Sequence, residues 1–412
     1  MKSKQSDERA PSVPEIARAL EEGVEAGVFP GAAAAVFLRG KLIHASVIGD
    51  AQRLPARIPL SDDALFDLAS VTKVVATTTA TVALVARGAI SLDESVARFW
   101  PEFARAGKRA VTVRHLLAHS SGLPAWKPVY LDVAADPGGE PLFAEERDPE
   151  KTARACRRGR AMVFEAIEAT ELEQPPGTKA VYTDLGFIAL GRVIEEVTGQ
   201  RLDAFVERDI LPELRLESLM FRPLDRAPRK APVIAATGVY RPNEPAPGQE
   251  QLVPAPPPDA VPRDRAGEVN DDNAFVMGGV AGHAGLFGTA RDVAAWGNAV
   301  IEELAGAMRI APPEVWERFC TLDSTPGTSR ALGFDTPTPG ASSAGRYIAS
   351  SRAVGHLGFT GTSVWIDLRR QLSVALLTNR VHPTRANVAI REFRPRFHDT
   401  VIEAFGLEGV PE

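Results

Sequence analysis

One serine and one lysine in this sequence are spaced for nucleophilic chemistry. Ser70 opens a long apolar stretch that ends at Gly88, and Lys73 follows the serine by three residues. On a helix this spacing places both side chains on one face, where the lysine amine can accept the serine proton. A serine at a helix N-terminus also lies beside free backbone N–H groups, which favour a developing oxyanion. Because a charged amine inside an apolar helix is costly, the pair predicts a functional site.

Two later segments carry groups that could serve the same chemistry. Tyr182 follows a Pro-Pro-Gly turn at residues 175–177 and precedes a strongly helical run. The segment 355–362 begins Gly-His-Leu-Gly, and its glycines flank the start of a predicted strand. Backbone N–H groups beside glycines can approach a ligand closely. These two segments strengthen the prediction of a nucleophilic site.

The sequence gives less support to a metal site, a nucleotide site or a hydrolase with the G-x-S-x-G motif. His115 and His119 are four residues apart and would share a helix face, but no glutamate follows the first histidine and no third ligand is near. A structural role is therefore favoured over a metal role for this pair. The glycine-rich segment 278–285 fits neither dinucleotide nor P-loop spacing, and no G-x-S-x-G motif occurs. No cofactor and no metal are expected.

The order of the three motifs resembles a known superfamily. S-x-x-K at residues 70–73, Tyr-Thr-Asp at residues 182–184 and H-x-G at residues 356–358 match the order S-x-x-K, Y-x-N and K-T-G or H-x-G. This is the order found in the serine β-lactamase and penicillin-binding protein superfamily. The sequence is most similar to the class C β-lactamase-like branch, which includes esterases and D-aminopeptidases. The likeness extends from about Val13 to the C-terminal helix.

The resemblance implies a role for each matched position. Ser70 would be the acylated nucleophile, and Lys73 and Tyr182 would share the general base and acid work. The backbone N–H groups of Ser70 and Phe359 would form the oxyanion hole. Tyr182 is a poor base at its usual pKa near 10, so either a Lys73 ammonium favours its phenolate or Lys73 is neutral. The sequence leaves both alternatives open.

Three further positions would contact substrate, and two of them depart from the family pattern. Gly358 keeps the family's glycine, whereas Asp184 replaces an asparagine whose amide can donate to a substrate carbonyl. An ionised aspartate only accepts hydrogen bonds, and it would pair with Lys73. His356 replaces a lysine, so a fixed positive charge becomes a mostly neutral donor. Both changes weaken β-lactam recognition.

The remaining pattern predicts an α/β (α+β) fold with a mixed, largely antiparallel sheet flanked by helices. We predict helices at residues 12–27, 70–88, 289–302 and 386–405, and hairpins at residues 32–48 and 363–378. The first helix would start with a capping box at residues 12–15. The sheet domain would comprise residues 1–92 and 286–412, and residues 93–285 would form a mostly helical insertion. A proline-rich irregular loop is expected at residues 223–262.

The composition and the N-terminal residues indicate which partners and which cellular location to expect. The 412 residues carry a net charge of −6 and no basic stripe, so nucleic acid is not an expected partner. Residues 1–9 lack the apolar region of a signal peptide, which favours a cytoplasmic location. The most apolar window, residues 74–86, is too short for a membrane span. The oligomeric state is not predicted.

The predicted function is hydrolysis of a small ester or amide through a Ser70 acyl-enzyme, with esterase activity favoured. The alternative is a D,D-carboxypeptidase or penicillin-binding protein, or a weak class C-type β-lactamase that binds β-lactams. A transesterase would use the same residues. A non-catalytic binder is disfavoured because Ser70, Lys73 and Tyr182 are all intact. We expect the pocket where the sheet domain meets the helical insertion, with the loop at residues 223–262 as a wall.

Overall fold

The computed structural model of the chain describes residues 11–136, 148–225, 232–240, 263–338, 340 and 342–409. The strands are, in chain order, β1 (Gly31–Leu38), β2 (Lys41–Gln52), β3 (Ile58–Pro59), β4 (Phe66–Asp67), β5 (Met220–Phe221), β6 (Ala236–Tyr240), β7 (Arg263–Ala266), β8 (Leu286–Gly288), β9 (Ala353–Leu357), β10 (Ser363–Asp367) and β11 (Leu372–Thr378). The helices are α1 (Pro14–Glu25), α2 (Thr79–Ala86), α3 (Val113–Leu117), α4 (Val129–Ala135), α5 (Pro149–Ala169), α6 (Asp184–Thr198), α7 (Leu202–Asp209), α8 (Asp272–Val276), α9 (Ala290–Leu304), α10 (Pro313–Cys320), α11 (Gly345–Ala349) and α12 (Ile390–Ala404).

Both ends of the chain meet in one antiparallel sheet. The strand order is β3-β2-β1-β11-β10-β9, and β1 pairs with β11 along its whole length. Both predicted hairpins are present, and the first turns at Arg39 (φ 50°) and Gly40 (φ 80°). Two left-handed residues are the signature of a tight turn that matches the twist of its strands. The predicted fold class, an antiparallel sheet flanked by helices, is confirmed.

The alternation of side chains along β1 separates two hydrophobic layers. Ala33 and Ala35 face the core that contains Val293 and Trp296 of α9, while Ala34 faces the layer formed by α1 and α12. Because successive side chains of a strand point to opposite faces, a strand of small apolar residues can be buried on both sides. The sheet is therefore covered by helices on each face.

Two predicted helix starts are wrong by two residues or more. Helix α1 begins at Pro14, after an extended Val13, and no side chain caps it. Proline is favoured at the first helical position, which makes Val13 the residue before the helix. Because the valine side chain cannot accept a hydrogen bond, the capping box predicted at residues 12–15 is absent. Helix α12 begins at Ile390 instead of residue 386, because Asn387 lies in the preceding loop and donates to Gly27 O at 2.9 Å.

Most of the predicted proline-rich loop lies outside the described residues. Of residues 223–262, the structure describes only 223–225 and 232–240. The second of these pieces contains β6, which pairs antiparallel with β7, so the expectation of an irregular loop is wrong there. Whether the loop walls the pocket stays a prediction.

The middle of the chain is helical, as predicted from its pattern. Within the described part of residues 92–197 the regular elements are helices α3, α4, α5 and α6 and short 3-10 turns. Strand β8 pairs with both β4 and β5 in a small second sheet, which joins the two parts of the chain. The proposed domain boundaries stay a prediction.

One helical stretch is long and apolar enough to cross a membrane by length and composition alone. It comprises 18 residues, Ala69–Ala86, and is longer than the window identified in the sequence. However, 83% of the stretch is buried inside the protein. A buried core helix has the same composition as a membrane span, so this stretch is weak evidence for one.

Candidate active site

The predicted serine–lysine pair lies at the start of that buried stretch. The chain forms a 3-10 turn at Ala69–Val71, a π-helical turn at Lys73–Thr78, and then α2. The helix thus starts at Ala69, one residue before the predicted position. Lys73 is fully buried, whereas Ser70 is half-buried at the floor of a cavity. Wide helical turns of this kind are often found at functional sites.

Three acceptors surround the Lys73 amine. Its Nζ donates to Ser70 Oγ at 2.9 Å, to Asp184 Oδ1 at 2.8 Å and to the backbone carbonyl of His283 at 3.2 Å. Burial alone would lower the pKa of Lys73, but the Asp184 carboxylate and Tyr182 reverse this and raise the pKa above its usual value. The geometry favours the charged ammonium, because each of its three N–H groups has an acceptor.

Tyr182 faces the same amine. Lys73 Nζ lies 4.9 Å from the centroid of the Tyr182 ring, and Tyr182 lines the same cavity as Ser70. Burial raises the pKa of Tyr182 above its usual value, and the Lys73 ammonium opposes this without overcoming it. The Arg330 guanidinium lies on the same ring, 4.9 Å from its centroid. Tyr182 is therefore a neutral phenol at pH 7.

The loop that carries Tyr182 is fastened to the segment after α3. The backbone N–H of Thr183 donates to His119 Nδ1 at 3.0 Å, and that of Asp184 donates to Ala125 O at 3.0 Å. The His119 ring also packs on the Tyr182 ring with centroids 4.6 Å apart. His119, which the sequence left in a structural role, thus holds the tyrosine in place.

The predicted oxyanion-hole donors line the cavity with free N–H groups. Ser70 and Phe359 both border it. Among the described residues, neither backbone N–H has a protein acceptor within hydrogen-bonding distance. Two free N–H donors at one cavity can serve a tetrahedral oxyanion.

Asp67 links the segment that carries the Ser70 N–H to the segment that carries the Phe359 N–H. Its buried side chain accepts from the N–H of Ala69 at 2.8 Å and of Asn270 at 2.6 Å. Its backbone carbonyl accepts from the Thr360 hydroxyl at 2.7 Å. Burial raises the pKa of Asp67 to about 6, so the carboxyl is mostly ionised at pH 7. The contacts hold Ala69, at φ 46°, in a left-handed conformation that non-glycine residues seldom adopt.

Gly358 lies where no side chain fits. A Cβ there would be 2.6 Å from Leu68 O and against the Thr362 hydroxyl. We expect Gly358→Ala to push the following Phe359 N–H away from Ser70 and lower kcat about 10²-fold, the worth of one oxyanion donor. The matched control is Gly409→Ala, because a Cβ at Gly409 meets nothing within 4 Å. Steady-state kinetics on an ester tests this, and a Gly358→Ala enzyme with the wild-type kcat would contradict it.

His356 has one ring nitrogen, Nε2, without a hydrogen-bond partner among the described residues. The residue is 3% exposed, and its Nδ1 is 2.7 Å from Leu357 O, so Nδ1 carries the proton and donates. Burial, together with the Lys73 and Arg330 cations, holds the pKa of His356 well below its usual range. His356 is therefore neutral and offers an acceptor.

The cavity has a volume of about 500 Å³. Six of the seven predicted site residues line it, and Lys73 lies directly beneath. Those six are Ser70, Tyr182, Asp184, His356, Gly358 and Phe359. Arg330, Trp126 and Asp335 lie on the same wall and had no distinguishing signal in the sequence. The sequence also gave no sign that the His283 carbonyl contacts Lys73, although His283 lies in the glycine-rich segment at residues 278–285.

No metal centre accompanies the site in the part of the chain that the structure describes. His115 Nδ1 accepts from the Thr112 N–H at 3.1 Å in a cap of α3, and His119 packs on Tyr182. The described residues contain no group of three or more histidine, cysteine, aspartate or glutamate side chains that could hold a metal ion.

The fold and site are those of a serine hydrolase. Residues 16–394 match the model of the beta-lactamase family, which covers well over half of the chain. The protein belongs to this family, and therefore to the serine β-lactamase and penicillin-binding protein superfamily that the three motifs indicated.

Individual relatives agree with this assignment. The chain is 31% identical to an N-acetylmuramyl-L-alanine amidase of Bacillus subtilis over 88% of its own length and 80% of that protein. It is 30% identical to a putative D-alanyl-D-alanine carboxypeptidase of Escherichia coli O157:H7, covering 89% of this chain and 81% of the relative. The octameric penicillin-binding protein homologue from Pyrococcus abyssi has the same fold, with a TM-score of 0.66, 21% identity, and coverage of 97% of this chain and 78% of the other.

Proposed function

We propose that this protein hydrolyses a small ester or amide through an acyl-enzyme on Ser70. The observation that carries the proposal is the 2.9 Å hydrogen bond between Lys73 Nζ and Ser70 Oγ at the floor of the cavity. A serine becomes a nucleophile when a positioned partner removes its proton. The two relatives at 30% identity or more support the proposal, since one is named as an amidase and the other as a carboxypeptidase.

Each matched residue has a step in this reaction. Ser70 Oγ attacks the substrate carbonyl while its proton leaves through Lys73, and the free N–H groups of Ser70 and Phe359 bind the oxyanion. Tyr182, a neutral phenol that lines the same cavity as Ser70, protonates the leaving atom in this scheme. Water then attacks the acyl-enzyme, and the proton transfers run in reverse.

The side chains at positions 184 and 356 favour an ester or simple amide over a β-lactam. Neutral His356 supplies no fixed positive charge for the carboxylate of a penicillin or cephalosporin. The Asp184 carboxylate bonds to Lys73 and cannot donate to the amide carbonyl of an acyl side chain. The second candidate, a D,D-carboxypeptidase or weak β-lactamase, is favoured by the name of the carboxypeptidase relative.

Three chromogenic substrates separate these candidates. A short-chain nitrophenyl ester, the nitroanilide of the same acid and a chromogenic cephalosporin are compared on one enzyme preparation. We expect turnover of the ester, the anilide or both, with the cephalosporin slower by about 10- to 100-fold, the worth of one charged hydrogen bond. Cephalosporin turnover as fast as that of the ester would favour the second candidate.

His356 should control this preference. We expect His356→Lys to raise kcat/KM for the cephalosporin relative to the ester by about tenfold, because the lysine restores a charge for the substrate carboxylate. The comparison variant is His356→Gln, which keeps the side chain neutral and should leave the ratio of the two substrates unchanged. Equal ratios in both variants would remove His356 from substrate selection.

A further inference from the structure

The hydrogen bonds of Lys73 raise a question about the serine proton. All three N–H groups of its ammonium are used, by Ser70, Asp184 and the His283 carbonyl. An ammonium has no lone pair, so it cannot accept a proton until it has given one away. Acylation of Ser70 therefore needs a group that can take a proton from Lys73.

Two of the three hydrogen-bond partners of the amine cannot play this part. Ser70 is itself the proton donor, and the His283 carbonyl is a peptide oxygen of very low basicity. Tyr182, whose ring centroid lies 4.9 Å from the amine, holds its own proton because burial raises its pKa. A neutral phenol donates a proton and does not accept one.

Asp184 is the remaining hydrogen-bond partner of the Lys73 amine, and its carboxylate can accept a proton. Its Oδ1 lies 2.8 Å from Lys73 Nζ, and the ion pair joins a fully buried ammonium to a carboxylate that is 17% exposed at the cavity wall. A carboxylate can take a proton and hold it, whereas the asparagine typical of this position in the superfamily cannot. The departure from the Y-x-N pattern thus adds a base where the resting site has none.

We propose that Asp184 is the terminal proton acceptor in acylation, with Lys73 as the relay between Ser70 and Asp184. The proposal rests on the proposed function, because it takes Ser70 as the nucleophile. Asp184 becomes a catalytic residue in this scheme, beyond its place as a substrate contact.

The protons and electron pairs balance over the step. Lys73 gives one proton to Asp184 Oδ1 and takes the proton of Ser70 Oγ, whose electron pair forms the bond to the substrate carbonyl carbon. When the tetrahedral adduct collapses, the leaving atom takes the phenol proton of Tyr182. Tyr182 recovers a proton from Lys73, and Lys73 recovers one from Asp184. The acyl-enzyme then has the same protonation state as the resting enzyme.

The test compares wild type with Asp184→Asn, which keeps the shape of the side chain and an acceptor for Lys73. The rate of Ser70 acylation is measured with a nitrophenyl ester and with a fluorophosphonate label, across pH. In wild type the rate should be flat from about pH 7 to 9, since a carboxylate is already ionised there. In Asp184→Asn the rate near neutral pH should fall about 10²- to 10⁴-fold, the worth of a general base.

The shape of the pH profile separates this role from a structural one. Without Asp184, Lys73 must lose its proton to solvent before it can act, so the rate in Asp184→Asn should rise about tenfold per pH unit. The titratable groups that face Lys73 are Asp184, Tyr182, His119, His356 and the Asp271–His283 pair. The matched control is Asp203→Asn, a mostly buried carboxylate that pairs with Arg201 at 3.1 Å and Arg222 at 3.0 Å and does not line this cavity. It should keep the flat profile.

Each outcome decides between named alternatives. An Asp184→Asn enzyme with the wild-type rate and profile would overturn the relay, as would a slower enzyme whose profile stays flat. A wild type that neither takes the label on Ser70 nor turns over any substrate would overturn the proposed function, and the relay with it. If Asp184→Asn does not fold, the rate of wild-type acylation in mixtures of H₂O and D₂O replaces it. Two protons move in the relay, so a curved dependence supports it and a linear dependence overturns it.

Discussion

Replacing Ser70 with alanine should abolish turnover of every substrate while the protein stays folded. The side chain is half-buried at the cavity floor, and its hydroxyl bonds to Lys73 at 2.9 Å. Alanine removes the nucleophile and leaves the surrounding helix intact. We expect a loss of at least about 10⁴-fold in kcat, as for other enzymes that lose their catalytic serine. Ester hydrolysis and the thermal midpoint are the two measurements.

The control for this variant is Ser373→Ala in β11. Ser373 is also buried, and its hydroxyl has no hydrogen-bond partner among the described residues, so its loss should change neither kcat nor the fold. A fluorophosphonate should add to wild type and to Ser373→Ala but not to Ser70→Ala, as read by intact mass. Wild-type turnover in a pure preparation of Ser70→Ala would rule out the acyl-enzyme.

Replacing Lys73 with methionine should have the second largest effect. Methionine fills the same volume without a charge, so the proton path from Ser70 to Asp184 is broken, and kcat should fall by about 10²- to 10⁴-fold. Asp184 would lose its bonded cation, which would also weaken the contact between the Ser70 helix and α6. The measurement is kcat on the ester together with the rate of Ser70 labelling.

Lys108 offers a matched control for Lys73→Met. It is equally buried and donates to the backbone carbonyls of Arg105 (2.7 Å), Glu168 (2.8 Å) and Thr170 (2.6 Å). None of these three residues lines the cavity, whereas the Lys73 partners Ser70 and Asp184 do. Lys108→Met should therefore lower the free energy of unfolding, because it leaves buried carbonyls unpaired, and keep kcat. If both lysine variants lost activity in parallel with stability, the catalytic role of Lys73 would be refuted.

Local patterns in the sequence predicted the elements well because each pattern reflects a short-range rule. Two hairpins follow from alternating apolar residues around short turns, and Arg39 and Gly40 adopt the left-handed backbone that the first turn requires. The buried helix after Ser70 follows from its apolar run. Helix starts were predicted less well: Pro14 begins α1 without a side-chain cap, because the residue before the helix is Val13 and not Ser12.

The order of the three motifs predicted the site residues, which the composition alone could not do. Ser70, Tyr182 and His356 lie more than one hundred residues apart in sequence, and the structure places all three around one cavity. The superfamily was identifiable because its three motifs occur in the same order. Roles that depend on a protonation state could not be identified from the sequence, because Lys73 could be charged or neutral.

By itself, the sequence determined the fold class, and it predicted the nucleophile and the two departures at Asp184 and His356 from the superfamily pattern. Only the tertiary structure decided which groups face one another. Asp184 meets Lys73 across 111 positions of sequence, and the His283 carbonyl meets the same amine across 210. Periodicity and turn chemistry act over a few residues, whereas pKa values and proton paths depend on burial and on contacts that packing alone creates. The charge of Lys73, and with it the route of the serine proton, is therefore a property of the folded chain.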